Sequence, residues 1–219
     1  MDKKQIALLM PGRATAQTVQ EAFAERSRML VRSDFVEVYL GEGKNALEEV
    51  EKLLWLAENI TGAANPAVRW RSRTHINEFL PLSRRDPTRF EGAALAWQKG
   101  LASAQRTLDD LQFVETHDCF TIAEMLEYEA MGLAPHGQGA RVILDGITCK
   151  DGKLPVNPSG GLKSRGHPIG ATGVSQHVMA AMQLSGQAGD MQIQGAHTGA
   201  VFNMGGAAVA NYLSVLEAT

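Results

Sequence analysis

The sequence predicts a mixed α/β fold, a sheet layered with helices, preceded by a small helix-rich region. Three observations predict it. Strand-like and helix-like runs alternate from residue 90 onward, the chain closes on two β-like runs separated by Gly205-Gly206, and a glycine-rich segment over 157–173 feeds straight into an apolar helical stripe. A chain of 219 residues with 44% hydrophobic content can bury an ordinary core in one domain or two.

Residues 5–10 are apolar and end at Pro11-Gly12, as a short strand or one helical turn would. Residues 15–32 predict a helix with Val19, Phe23 and Leu30 among its apolar positions, and 35–40 a strand rich in β-branched and aromatic residues. Asn45 followed by Glu48 suits a capping box, and Leu47, Val50, Leu54 and Ala57 form a stripe ending near Gly62. Residues 1–65 therefore form a helix-rich region of unassigned role.

Asn65-Pro66, an arginine cluster, Pro81 and Pro87 predict irregular exposed chain over 63–88, with 66–88 as the domain boundary. Arg69, Arg71, Arg73, Arg84, Arg85 and Arg89 are expected to be a solvated linker there. The second domain, 89–219, begins with a helix over 90–106. A turn and a short strand lead to His117-Asp-Cys-Phe120, and a helix over 121–131 is capped by Gly132. Residues 142–144 predict a short buried strand, followed by a turn at 150–152. Val174, Val178, Ala181 and Met182 share one face of a helix after the glycine loop. Two strands, within 200–204 and 207–216, close the chain.

The formal net charge of −3 gives no general attraction to nucleic acid. No window reaches about 18 apolar residues, and residues 1–30 lack the apolar core of a secretory signal. No membrane association and a cytoplasmic home are expected, with Cys119 and Cys149 as free thiols. No His, Cys, Asp or Glu spacing suits a metal site, and His75, His136, His177 and His197 are expected to be exposed or internally satisfied.

Three loops carry chemistry: His117-Asp-Cys-Phe120 at a strand end, Gly166-His167-Pro168 before a helix, and Asn203-Met-Gly-Gly206 between the last strands. Sites in α/β sheets gather at carboxyl ends of strands, so these loops are expected to converge. Free N–H groups at a helix start stabilise negative charge, which suits His167 to acyl or phosphoryl chemistry. Cys119 beside a histidine can act as a thiolate or as a general acid/base.

His117-Asp-Cys-Phe120, Tyr128-Glu-Ala-Met-Gly-Leu133, Gly137-Gln-Gly139, Asn157-Pro-Ser-Gly-Gly161 and Gly166-His-Pro-Ile-Gly170 occur in this order. Together they resemble the C-terminal half of a thiolase. More narrowly the chain is similar to the sterol carrier protein type, marked by His-Asp-Cys-Phe where other thiolases carry Asn-Glu-Ala-Phe. The resemblance runs from about Thr74 to the C-terminus; residues 1–73 match no thiolase motif.

This resemblance implies a thiolase-like C-terminal domain and a two-step acyl transfer between coenzyme A thioesters, with no permanently bound cofactor. A cysteine nucleophile takes the acyl group, and coenzyme A or an acetyl-CoA carbanion then attacks the acyl-enzyme. By position, His167 would activate the nucleophile and donate to an oxyanion that His117 completes, and Cys119 would be the acid/base. The backbone N–H of Gly205 would serve a second oxyanion. Ser159, Gly160 and Gly161 would contact the coenzyme A thioester, and Asn203 stands where many thiolases carry a second cysteine.

A family member is roughly twice this long, and its nucleophilic cysteine belongs to an N-terminal half without counterpart here. Cys119 already matches the acid/base, and Cys149 has no glycine-rich, helix-opening context. The expected partners are acyl-CoA or coenzyme A, and either a nucleophile-bearing thiolase half or further copies of this chain. A second reading is a non-catalytic association domain, or the product of a truncated or rearranged thiolase coding sequence.

Overall fold

The computed structural model describes residues 30–32, 37–39, 68–78 and 82–219. The helix expected within 45–62 and the run at 5–10 lie outside the described residues. Two short strands, β1 (Leu30–Arg32) and β2 (Glu37–Tyr39), pair antiparallel. The strand expected within 35–40 is thus present, but Leu30 belongs to a strand and not to the end of a helix. Pairing with β2 supplies Leu30–Arg32 with a partner that outweighs local helical periodicity.

The main sheet has the order β3-β6-β5-β4, from β3 (Val68–Asn77), β4 (Phe113–Glu115), β5 (Thr198–Gly205) and β6 (Ala210–Ala218). β6 pairs antiparallel with β3 and β5, whereas β4 runs parallel to β5. Val156 extends the sheet past β4 through a parallel bridge to Val114.

Strand β3 corrects the expectation of irregular chain over 63–88. Val68–Asn77 is ten residues of edge strand, with its register to β6 shifted between Trp70 and Ser72. Its arginines stand in a strand and not in a linker, although Arg69 and Arg73 stay exposed. Arg69 and Arg106 bond the buried Glu217 carboxylate at 2.8 and 2.7 Å, Arg71 approaches it at 3.5 Å, and Arg73 lies over the Trp70 ring. Charged residues on an edge strand also discourage pairing with other chains, so composition alone hid the strand.

Helices α1 (Glu91–Ala104), α2 (Thr121–Met131), α3 (Gly139–Leu144), α4 (Gly161–Arg165) and α5 (Thr172–Leu184) complete the described fold, with short 3₁₀ turns between them. Gly132 caps α2 in the left-handed conformation, as expected. Residues 142–144 are the end of α3 and not a strand. Val142 alone of the three is buried, while Ile143 and Leu144 are exposed. A three-residue apolar run carries no period, and the Glu129 carboxylate that accepts the Gly139 N–H at 2.7 Å starts a helix there.

The sheet is covered on both faces. On one, Ala93, Ala96 and Trp97 of α1 and Ala123, Tyr128 and Met131 of α2 pack over Ala200, Phe202, Leu213 and Val215. On the other, Ala180, Ala181 and Leu184 of α5 meet Phe113, Val201 and Leu216. Alternation along β5 assigns Ala200 and Phe202 to the first face and Val201 to the second, the period of two that a doubly covered sheet requires. The carboxyl ends of the parallel strands β4 and β5 are therefore fixed side by side.

Candidate active site

The end of β4 is held by a polar frame. Buried Glu115 accepts hydrogen bonds from the Ser159 hydroxyl at 2.6 Å, the Ser159 N–H at 3.2 Å and Arg165 Nη2 at 3.1 Å. Arg165 also donates to Ser159 Oγ at 2.8 Å and to Ser175 Oγ at 2.7 Å, so one guanidinium joins β4, the glycine loop and α5. Burial pushes the Glu115 carboxyl above its ordinary range, against the opposing pull of Arg165 and Ser159.

Next along the chain, the Asn157 side chain accepts the Thr116 N–H at 2.8 Å and its backbone N–H reaches Val114 O at 2.7 Å. The Thr116 hydroxyl bonds the fully buried Glu127, whose carboxyl burial raises well above normal. Asp118 accepts the Leu162 N–H at 2.8 Å at the start of α4. Gly161 has φ 67, and a Cβ there would collide with the Asp118 carboxylate, so both backbone and space demand glycine.

This frame brings two of the three expected loops face to face. The rings of His117 and His167 meet edge to face with centroids 4.9 Å apart. His117 is 6% exposed. Burial first, and then the neighbouring His167, push its pKa down to about 4, so its imidazole is neutral at pH 7. Asn203, from the end of β5, favours the charged form, yet His117 Nδ1 and Asn203 Oδ1 are both buried with no hydrogen-bond partner among the described residues. A Cβ at Gly173 would stand 2.8 Å from Asn203 Nδ2, which places the start of α5 against the same carboxamide.

His167 is exposed, and its Nδ1 lies 2.7 Å from Thr172 Oγ1. The Thr172 hydroxyl donates to Pro168 O at 3.0 Å, leaving its oxygen to accept Nδ1–H. That assignment directs the lone pair of His167 to Nε2, the form a general base needs. Cys119 is half-buried, and burial, with Glu127 adding to it, pushes its thiol up, so it is protonated at neutral pH.

Gly205 ends β5 two residues beyond Asn203, on the same side of the pleat, and the space where its Cβ would stand is open within 4 Å. Ser159 and Gly161 turn inward into the frame, whereas Gly160 is exposed. Cys149 is exposed and stands in the turn region after α3, its backbone bonded to Gly146 O at 3.2 Å and to the Gly152 N–H at 2.8 Å. Among the remaining histidines, His177 bonds Gly173 O and Ser214 Oγ, His75 stacks on Tyr212, His136 pairs with Glu129, and His197 is exposed. Among the described residues, no group of three or more His, Cys, Asp or Glu is placed to hold a metal ion, and no helix is long and apolar enough to cross a membrane.

Glu115, Thr116, Asp118, Glu127, Arg165 and Thr172 were not singled out from the sequence. No signal marks them there, because all but Thr172 act through partners eleven or more residues away; Arg165 and Glu115 are 50 residues apart.

The family model described as thiolase C-terminal domain-like matches residues 76–218. An acetyl-CoA acetyltransferase of Methanothermobacter thermautotrophicus is 46% identical over 123 residues, 56% of this chain and 32% of that protein. Human sterol carrier protein 2 is 44% identical over 116 residues, 53% of this chain and 21% of that protein. The match thus spans about a third or less of these relatives. In the solved structure of an Ltp2-ChsH2(DUF35) aldolase, one chain shares the fold with a TM-score of 0.58 and 19% identity, covering 67% of this chain and 38% of that one.

Proposed function

The chain belongs to the thiolase C-terminal domain-like family, and on that premise we propose that it supplies the proton-handling and charge-stabilising groups of an acyl transfer between coenzyme A thioesters. The sulfur that carries the acyl group comes from another segment or chain. The observation that carries this reading is the meeting of a neutral buried His117 with a base-ready His167 beyond the end of β4, with the protonated, half-buried Cys119 two residues further along the same loop.

In the first step His167 Nε2 takes the proton of the incoming cysteine thiol. The thiolate attacks the thioester carbonyl, and the electron pair moves to its oxygen. His117 and His167 donate to that oxyanion; its collapse expels the leaving group as a thiolate or carbanion, which takes a proton from the Cys119 thiol. In the second step Cys119, now a thiolate, removes the proton from coenzyme A or from the α-carbon of acetyl-CoA. The new nucleophile attacks the acyl-cysteine, and the backbone N–H of Gly205 holds the second oxyanion. Collapse returns the cysteine sulfur, and protons balance between His167, Cys119 and the two thiols.

Contact with the coenzyme A thioester falls to the exposed backbone at Gly160, while Ser159 and Gly161 hold the loop in shape. The compartment this reading assigns is the cytoplasm, where Cys119 and Cys149 remain free thiols. The purified chain is expected to show no thiolysis of acetoacetyl-CoA, followed by loss of its absorbance. Turnover that disappears in Cys149→Ser would overturn the assignment of the nucleophile to another chain. Purification from the native source should recover a companion polypeptide with a reactive cysteine.

A second reading, a non-catalytic association domain, is favoured by one observation: Phe120 and Ile169, which flank the site, are 70% and 89% exposed. Recovery of only cysteine-free companions would favour it.

A further inference from the structure

The turn that joins β5 to β6 is built against the preferences of its own residues. Gly206, Ala207 and Ala208 have φ of 63, 53 and 61, three consecutive left-handed positions, and Val209 N–H closes the turn on Gly205 O at 3.0 Å. Two of the three carry a Cβ, which the left-handed region disfavours. Alanine also lacks the side-chain amide or carboxylate that lets Asn or Asp support this conformation locally. The turn must be held from outside.

Arg85 is what holds it. Its Nη2 donates to Ala207 O at 2.8 Å and its Nη1 to Ala208 O at 3.3 Å, and its side chain is only 8% exposed. The charge is balanced by Glu78 at 3.1 Å, and Glu78 in turn accepts the Gly92 N–H at the start of α1 at 2.7 Å. The Glu78 N–H donates to Val209 O at 2.6 Å, and Asn211 Nδ2 donates to Ala208 O at 2.8 Å. Every carbonyl from Ala207 to Val209 is thus taken by a group outside the turn.

We propose that Arg85, buttressed by Glu78, is a positioning residue that clamps this left-handed turn and so fixes the Gly205-Gly206 backbone at the end of β5, two residues beyond Asn203. The link to chemistry rests on the reading of the Gly205 N–H as an oxyanion donor; the clamp itself stands on the geometry alone. An arginine is required because its planar fork meets two successive carbonyls at once. A lysine in its place keeps the charge beside Glu78 but presents no fork.

Amide hydrogen exchange of the full chain, read by NMR, tests the clamp. In Arg85→Lys the thermal midpoint should stay within a few degrees, because the pair with Glu78 survives. The Val209 amide, which closes the turn on Gly205 O, should nevertheless exchange about tenfold faster, with those of α5 unchanged. Unchanged exchange at Val209 would overturn the proposal, as would a rise spread evenly over the whole chain.

A second background keeps the test decisive if the single variant is too unstable. Ala207→Gly with Ala208→Gly removes the conformational cost of the turn, so adding Arg85→Lys there should accelerate exchange by less than about threefold. An equal acceleration in both backgrounds would overturn the clamp.

The link to chemistry has its own readout, the carbonyl resonance of bound carbonyl-¹³C acetyl-CoA. A downfield shift in the wild-type chain that is lost in Arg85→Lys supports both ideas. No shift in the wild-type chain would sink the oxyanion role of Gly205 and leave the exchange rates to judge the clamp.

Discussion

Burial has stripped His117 of its charge, and that has a measurable consequence. Its pKa is about 4 in the fold against an ordinary 6.5, so between those values the unfolded chain binds the extra proton. The stability His117 contributes is therefore present above pH 6.5 and lost as the pH falls toward 4, by up to about 3 kcal/mol. Glu115 and Glu127 have the opposite sign. Their raised carboxyls stabilise the fold at low pH, and that contribution is lost as the pH rises through their folded values. The clean measurement is the stability difference between wild type and His117→Gln, from urea unfolding at steps from pH 4 to 7.5. It should grow with pH by about 2–3 kcal/mol; a flat difference would mean that His117 carries its charge in the fold. His117, Cys119 and His167 were legible as candidates because each sits in a dense local motif. Glu115, Arg165 and Thr172 were not, because an ordinary glutamate, arginine or threonine acquires its meaning only from what it touches.

At the scale of elements, the misread segments share one cause. β3 contains three arginines and a histidine, of which Arg69, Arg73 and His75 are exposed, and its partner β6 lies about 140 residues away, so nothing local announced a strand. What stabilises its lower end is Glu217, whose carboxyl is held below its ordinary range first by Arg69, with Arg106 and Arg71 assisting against the cost of burial. Glu217→Gln would leave Arg69, Arg71 and Arg106 facing one another across a neutral amide. A loss of about 1–2 kcal/mol is expected at low ionic strength, shrinking in high salt as the guanidinium repulsion is screened. Urea unfolding at two salt concentrations checks this; no loss at low salt would mean that the arginines are solvated after all. Helix α5, by contrast, was legible from its stripe, and α2 from its composition and Gly132, because helix periodicity and capping are local signals.

At the scale of the whole molecule, several of the large apolar side chains exposed among the described residues neighbour the candidate site along the chain, while Ile143 and Leu144 stand at the end of α3. Phe120 and Ile169 flank Cys119 and His167, and Ile122 is also exposed at the start of α2. Water-facing groups of this size at a site favour association, so light scattering of the purified chain should find an oligomer or a complex. A clean monomer at working concentrations would argue that this surface is not an interface. The sequence by itself determined the family and the α/β class and marked the candidate site residues, because ordered motifs and short-range periodicities are written in neighbouring residues. Only the tertiary structure decided that a basic stretch is a sheet strand, that His117 is neutral, and that Arg85 and Arg165 hold the loops that carry the site. Burial, desolvation and hydrogen bonds between distant segments have no trace along the chain until it is folded.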